Sequence, residues 1–344
     1  MMYNRRDVLR FGAAAGILCA PNVSRAQSEG PVKLLAAHQG FATDSPIYIA
    51  QERGYFREQG LEVQLIRFNS TSDQIAALGT GELSVGVGGV NAALFNAAAR
   101  DVPIRIVADK FHAEPSYTGI GWVFRTGLID SGQIKTAKDL KGMRISRGQR
   151  ASATETELVA LLREGGLTIK DVINQDIAYS DLAPALANGS VDGAFAISPF
   201  TEIVEARGFG QMWRTSGSII PDHMVASILY GPSFVEKQPD AARGWMIAYI
   251  KGVRDYIRAW KSGSIPDDVI QAAIKYGNTK DPAAIRRSPL APINPDGFTY
   301  PASMKLDLDY FVEAGYVRDP PALDKVIDRS FADYAVSKLG PFRS

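Results

Sequence analysis

The chain has almost no cysteine and little histidine: one Cys and three His in 344 residues. The one thiol, Cys19, lies in a leader-like segment expected to be removed. Disulfides, zinc thiolates and cysteine nucleophiles are therefore excluded from the mature chain. An excess of either charge is missing too, since 38 basic residues face 37 acidic ones. Such a balance gives no overall grip on nucleic acid. No apolar run is long enough to span a bilayer, and no segment is of low complexity.

What is present begins with paired arginines, Arg5 and Arg6, then Arg10 and an apolar stretch from Phe11 to Ala20. Ser24-Arg25-Ala26 follows, a small-x-small pattern suited to signal peptidase. Residues 1–26 are expected to be an export signal of the twin-arginine type. The apolar stretch is too short for a membrane anchor, and Leu18 before Cys19 is too large for lipoprotein processing. Removing four arginines and one aspartate leaves 34 basic and 36 acidic residues, a net charge of −2. The expected compartment is the periplasm.

From Val32 the pattern alternates. VKLLAA, LEVQLIRF, LSVGVGG and VPIRIVAD read as strands, separated by helices with recognisable ends. Ser45 is the expected N-cap of one helix, with Pro46 at its first position and Gly54 as its stop. Ser70 and Asp73 have capping-box spacing at the next. A second unit of the same kind starts near Thr118 and ends near Gly208. Beyond it the pattern turns mostly helical, led by the amphipathic run DAARGWMIAYIKGVRDYIRAW. Strand–helix alternation with short connections predicts α/β layers with parallel sheets.

The stretch FATDSPIYIAQERGYFREQGLEVQL, residues 41–65, resembles the nitrate, sulfonate and taurine class of ABC-transporter substrate-binding proteins. The superfamily also includes binders of thiamine-pyrimidine precursors. IAALGTGELSVGVGG, DLKGMRISRG, ALANGSVDGAFAISPF and FVEAGYV continue the resemblance in order. It implies an α/β, two-lobed periplasmic binding protein (type II-like), each lobe a sheet flanked by helices, with a helical C-terminal extension. Lobe one is expected at residues 31–117 plus 218–344, and lobe two at 118–217. The implied partners are a small-molecule ligand and the permease and ATPase subunits of an importer. Membrane contact comes only through the permease, and the protein is expected to be a monomer.

In open α/β sheets ligands bind beyond the carboxyl ends of strands, beside helix N-termini. Gln39, Phe41 and Asp44 stand in such a loop, with Asp44 as an acceptor or simply a helix starter. Gly88 and Gly89 would let a ligand approach the backbone, with free amides at Val90 and Asn91. GVGGVNAA is not a dinucleotide fingerprint, because Asn91 stands where the third glycine belongs. Arg147, Arg150 and the amides after Ser152 could hold a carboxylate or sulfonate. Ser198 stands where taurine binders often carry an acid, which favours an anionic or neutral ligand over an ammonium. Phe41, Trp122, Tyr179, Phe195 and Phe200 would suit a planar or aromatic acid. His38, His112 and His223 lie near strand ends. Their spacing supports cleft or hinge residues, with His223 at the ligand, better than a metal site.

The expected function is an extracytoplasmic solute receptor closing on a small anionic organic ligand, without catalysis or cofactor. The alternatives are a thiamine-pyrimidine-precursor enzyme or binder, or a ligand-sensing subunit of a signalling system. The synthases of that superfamily carry a Cys-rich segment and use pyridoxal phosphate, and no such segment is present in this chain.

Overall fold

The computed structural model describes residues 30–343. The expected export signal and its cleavage site lie outside the described residues. Ten strands run β1 (Val32–His38), β2 (Leu61–Arg67), β3 (Val85–Gly89), β4 (Arg105–Ala113), β5 (Ile120–Arg125), β6 (Arg144–Ser146), β7 (Ile173–Gln175), β8 (Gly193–Ile197), β9 (Gly210–Thr215) and β10 (His223–Tyr230). They form two five-stranded sheets, in the orders β2-β1-β3-β10-β4 and β7-β6-β8-β5-β9.

Each sheet follows one plan. Four strands run one way, and the fourth position is filled by an antiparallel strand. The purely parallel sheets expected from the alternation are therefore mixed. The antiparallel strand of the first sheet, β10, arrives only after the chain has built the second sheet. It pairs Ala226 with Gly89 on one side and with Phe111 on the other. The chain thus passes between sheets twice, after β4 and before β10.

Burial explains the strand patterns. β4 is almost wholly buried although it ends its sheet. The Val326–Asp328 segment covers that edge: Ile106 N donates to Val326 O at 2.7 Å and Asp328 N to Ile106 O at 2.9 Å. Such cover removes the unpaired edge that would otherwise invite another strand. In β5, Trp122 and Phe124 join the main core while Val123 packs into a smaller one with Leu182, Leu186 and Val204. That alternation is the period of two expected of a strand buried on both faces.

The helix after β1 begins one residue earlier than expected. A 3₁₀ turn at Ala42–Asp44 leads into the helix Ser45–Glu52, with Asp44 at the N-cap position. The Asp44 carboxylate reaches back to accept from Gln39 N at 3.1 Å and Phe41 N at 2.9 Å, which folds the loop over itself. Ser70 caps the helix Thr71–Thr80 as its spacing predicts, accepting from Asp73 N at 3.2 Å. No described helix is long and apolar enough to cross a membrane.

Candidate functional site

A small cavity lies between the two sheets, lined from the first by Gln39, Thr71, Gly89 and Lys110 and from the second by Ser152, Tyr179 and Phe195. Its volume is about 50 Å³. An outer chamber of about 380 Å³ shares Gln39, Phe41, Gln149 and Tyr179 with it and adds Arg67, Asn278 and Phe200.

Aromatic rings stand where the chambers join. Phe41 meets Tyr179 edge-on, with centroids 5.5 Å apart, and Tyr179 stacks on Phe200 at 6.1 Å. Phe41 precedes β2 in the chain and Tyr179 follows β7, so the pair spans the gap between sheets.

The charged side chain on the cavity wall is Lys110, only 1% exposed, on β4. Its ammonium lies 2.9 Å from Asp44 Oδ1 and donates to Thr43 Oγ1 at 2.8 Å. Asp44, itself fully buried, spends its other oxygen on the loop amides. Buried charges persist when paired and hydrogen-bonded in this way. His38 stands nearby and donates to, or accepts from, Tyr48 OH at 3.0 Å. Burial, with Arg67 and Lys110 adding to it against the opposing pull of Asp44, lowers its pKa, so His38 is neutral at neutral pH.

Gly88, expected at the ligand, lines neither chamber but packs behind Thr71 and Gln39, which do line the inner one. Its φ of +140° suits glycine, and a Cβ there would lie 2.2 Å from Thr71 Oγ1 and 2.8 Å from Gln39 Oε1. The backbone amide expected to be free at Val90 is instead engaged by Val225 O at 3.2 Å. Asn91 is a helix N-cap, accepting from Leu94 N at 3.1 Å. Around it the two halves are stitched together: Ala92 N donates to Ala151 O and Ala153 N to Val90 O, each at 2.9 Å.

The anion site expected at Arg147 and Arg150 is not formed. Arg147 pairs with Asp176 at 3.2 Å and faces Glu155 at 3.8 Å. Arg150 donates to Tyr316 OH at 3.4 Å and lies over that ring. Neither lines either chamber, because carboxylates and an aromatic ring outside the cavity draw both away. Ser152 does line it, but its hydroxyl donates to Gln149 O at 2.7 Å. Trp122 is core, its indole N–H donating to Glu157 at 2.8 Å.

His223 does not face the cavity either. It is fully buried 2.9 Å from Asp307 and 3.9 Å from Glu157. Burial alone would lower its pKa, but the Asp307 and Glu157 carboxylates outweigh that and push it up to about 10. His112 bonds Asp109 at 2.8 Å and meets Tyr300 OH at 3.1 Å. The three histidines thus serve three separate networks.

Sequence reading missed Lys110, Thr71, Gln149 and Arg67 as lining groups. Only Lys110 carried a signal: a lysine inside the apolar run IRIVADKFHA is anomalous unless it has a buried partner.

Residues 43–259 match the family model described as NMT1/THI5 like. The chain belongs to the NMT1/THI5-like family. A curated relative, 4-amino-5-hydroxymethyl-2-methylpyrimidine phosphate synthase of Schizosaccharomyces pombe, is 30% identical over 225 residues, 62% of each chain. This chain spans between 62 and 65% of the length of the relatives of that name from S. pombe, Aspergillus parasiticus and Saccharomyces cerevisiae. The fold is shared with the periplasmic nitrate-binding protein NrtA from Synechocystis PCC 6803, at TM-score 0.74 and 14% identity over 90% of this chain and 89% of that one. It is shared also with the aliphatic sulphonate binding protein SsuA from Escherichia coli, at 0.69 and 18% over 87% and 93%. The expectation of a protein without catalysis needs correction, because the curated relatives are named as synthases. Missing cysteines argued only against one kind of site.

Proposed function

We propose that the chain is an exported solute-binding receptor of an ABC importer that closes two lobes on a small planar organic ligand. The lobes are residues 31–117 with 218–344, and 118–217. The observation that carries this reading is the cavity lined from both sheets, with the Phe41–Tyr179 contact across it. Ligand sites combine aromatic walls with a few placed polar groups, and lobe closure sequesters a ligand. An acidic group on the ligand fits the outer chamber, where Arg67 is the charged lining residue and contacts Asn278. The periplasm is supported by the leader-like residues 1–26, and the permease and ATPase by the kinds of protein that share the fold.

The synthase name of the curated relatives supports a second reading, in which the chamber acts on a pyrimidine. Lys110 favours it as a primary amine against the cavity. Expression of residues 27–344 in the cytoplasm of a pyrimidine-requiring thiamine auxotroph separates the two, because only a synthase restores growth.

A thermal-shift screen of residues 27–344 against sulfonates, aromatic carboxylates and pyrimidines tests the receptor reading, since a ligand that binds the folded state raises its stability. Arg67→Ala is expected to weaken an acidic hit about tenfold, the scale of one charge-assisted hydrogen bond. Arg147→Ala and Arg150→Ala should leave it unchanged. A screen without a hit, or an acidic hit indifferent to Arg67→Ala, would count against the reading.

A further inference from the structure

The inner cavity contains more donors than its own walls use. Lys110 carries three N–H groups, of which Thr43 takes one, while Asp44 Oδ1 is an ion-pair partner 2.9 Å away. The Thr71 hydroxyl, 1% exposed and lining the same space, has no hydrogen-bond partner among the described residues. Thr71 is also the first residue of a ten-residue helix, so the positive end of that helix faces the chamber. The Gln39 side chain lies on the same side, since it and Thr71 would both crowd a Cβ at Gly88. An unpartnered buried hydroxyl and a spare ammonium N–H on one small chamber are an incomplete hydrogen-bond set that a ligand acceptor would complete.

The charge of that acceptor follows from the neighbours. Lys110 is the one charged side chain among the lining residues, and Asp44 already neutralises it at 2.9 Å. His38 adds no charge at neutral pH because burial lowers its pKa. A carboxylate inserted here would leave the chamber with a net negative charge, out of water and close to Asp44. A carbonyl or amide oxygen accepts the same N–H and O–H without that penalty, and an amide N–H₂ can return a bond to Gln39 Oε1.

Resting on the receptor reading above, we infer that Lys110, Thr71 and Gln39 form a specificity subsite for an uncharged acceptor group, a carbonyl or amide, and reject a carboxylate at that position. A ligand with both features would enter with its neutral polar end inward and any acid outward, toward Arg67.

A chamber this small calls for probes of few heavy atoms. Acetamide and acetate are such a pair, alike in shape and different in charge. NMR titration of the protein (residues 27–344) follows the Lys110 ammonium and the Thr71 resonances with each. Saturable acetamide shifts at both groups, with acetate at least about tenfold weaker, are expected. The double variant Lys110→Met/Asp44→Asn removes both partners together, so it avoids stranding a buried charge, and should lose the acetamide response. Thr71→Val should weaken it. Acetate binding as well as acetamide, or neither probe shifting these groups, would overturn the inference. Small-angle scattering with the hits of the thermal screen keeps the two proposals apart. A hit that compacts the protein while acetamide leaves Lys110 untouched removes this subsite alone. Acetamide at Lys110 with no compaction by any hit removes the receptor reading instead.

Discussion

Lys110 and Arg147 show how differently a single cation can be used. Lys110 sits on a strand buried on both faces, so its charge persists only through Asp44 and Thr43. Arg147 sits in a loop beside a helix start, the setting in which an arginine looks most like an anion receptor. It is nevertheless taken up by Asp176 and Glu155. Side-chain type and local spacing cannot separate these cases, because the deciding carboxylates are remote in sequence or lie on another turn. Phe41 has a clearer role, since its ring closes the junction of the chambers against Tyr179. Phe41→Ala is expected to weaken a screened ligand by about 1–3 kcal/mol, the scale for burying one aromatic side chain. Calorimetry measures it, with circular dichroism to verify the fold, and an unchanged affinity would put Phe41 outside the binding surface.

At the scale of elements, the long helix Pro239–Lys261 holds the loop-bearing half of the site in place. It crosses the helix Ser45–Glu52 closely enough that a Cβ at Gly252 would lie 2.1 Å from Pro46 O. Since that oxygen is backbone, it cannot swing aside as a side-chain tip would. Gly252→Ala is therefore expected to destabilise the fold by about 1–3 kcal/mol through overpacking, although alanine is the better helix former. Urea unfolding gives the answer, and a midpoint equal to that of the unaltered chain would mean the helices separate freely. The same crossing fixes the start of the Ser45 helix, and with it the loop that carries Gln39 and Phe41.

At the scale of the molecule, buried polar groups join the two halves. Glu155 accepts from Tyr310 OH at 2.8 Å and Tyr316 OH at 2.9 Å, and His223 lies between Asp307 and Glu157. The His223 pKa, about 10 when folded, exceeds the ordinary histidine value of 6.5. The folded state therefore binds this proton more tightly than the unfolded state does. Its contribution is complete below about pH 6.5 and is lost as pH rises through about 10. His112, which burial alone would lower but Asp109 and Glu114 together raise, acts in the same direction. Unfolding midpoints of the unaltered chain should fall between about pH 7 and pH 10 more steeply than those of His223→Gln. Parallel curves for the two proteins would remove His223 from the linkage.

The amino-acid sequence by itself determined the alternation of strands and helices, the caps at Ser70 and Gly54, the family, and the loop holding Gln39 and Phe41. Each of these depends on neighbours a few residues apart, where periodicity and capping chemistry act. Tertiary structure decided the rest. Strand β10 enters the first sheet antiparallel, filling the space between β3 and β4 more than a hundred residues later in the chain. Lys110 becomes a chamber group because β4 brings it to Asp44, 66 positions earlier in the numbering. Arg150 is drawn to Tyr316 and His223 to Asp307 by the C-terminal helical region, which the local pattern around either residue does not contain. Such pairings depend on desolvation and distance in the folded chain, and neither exists until the two sheets come together.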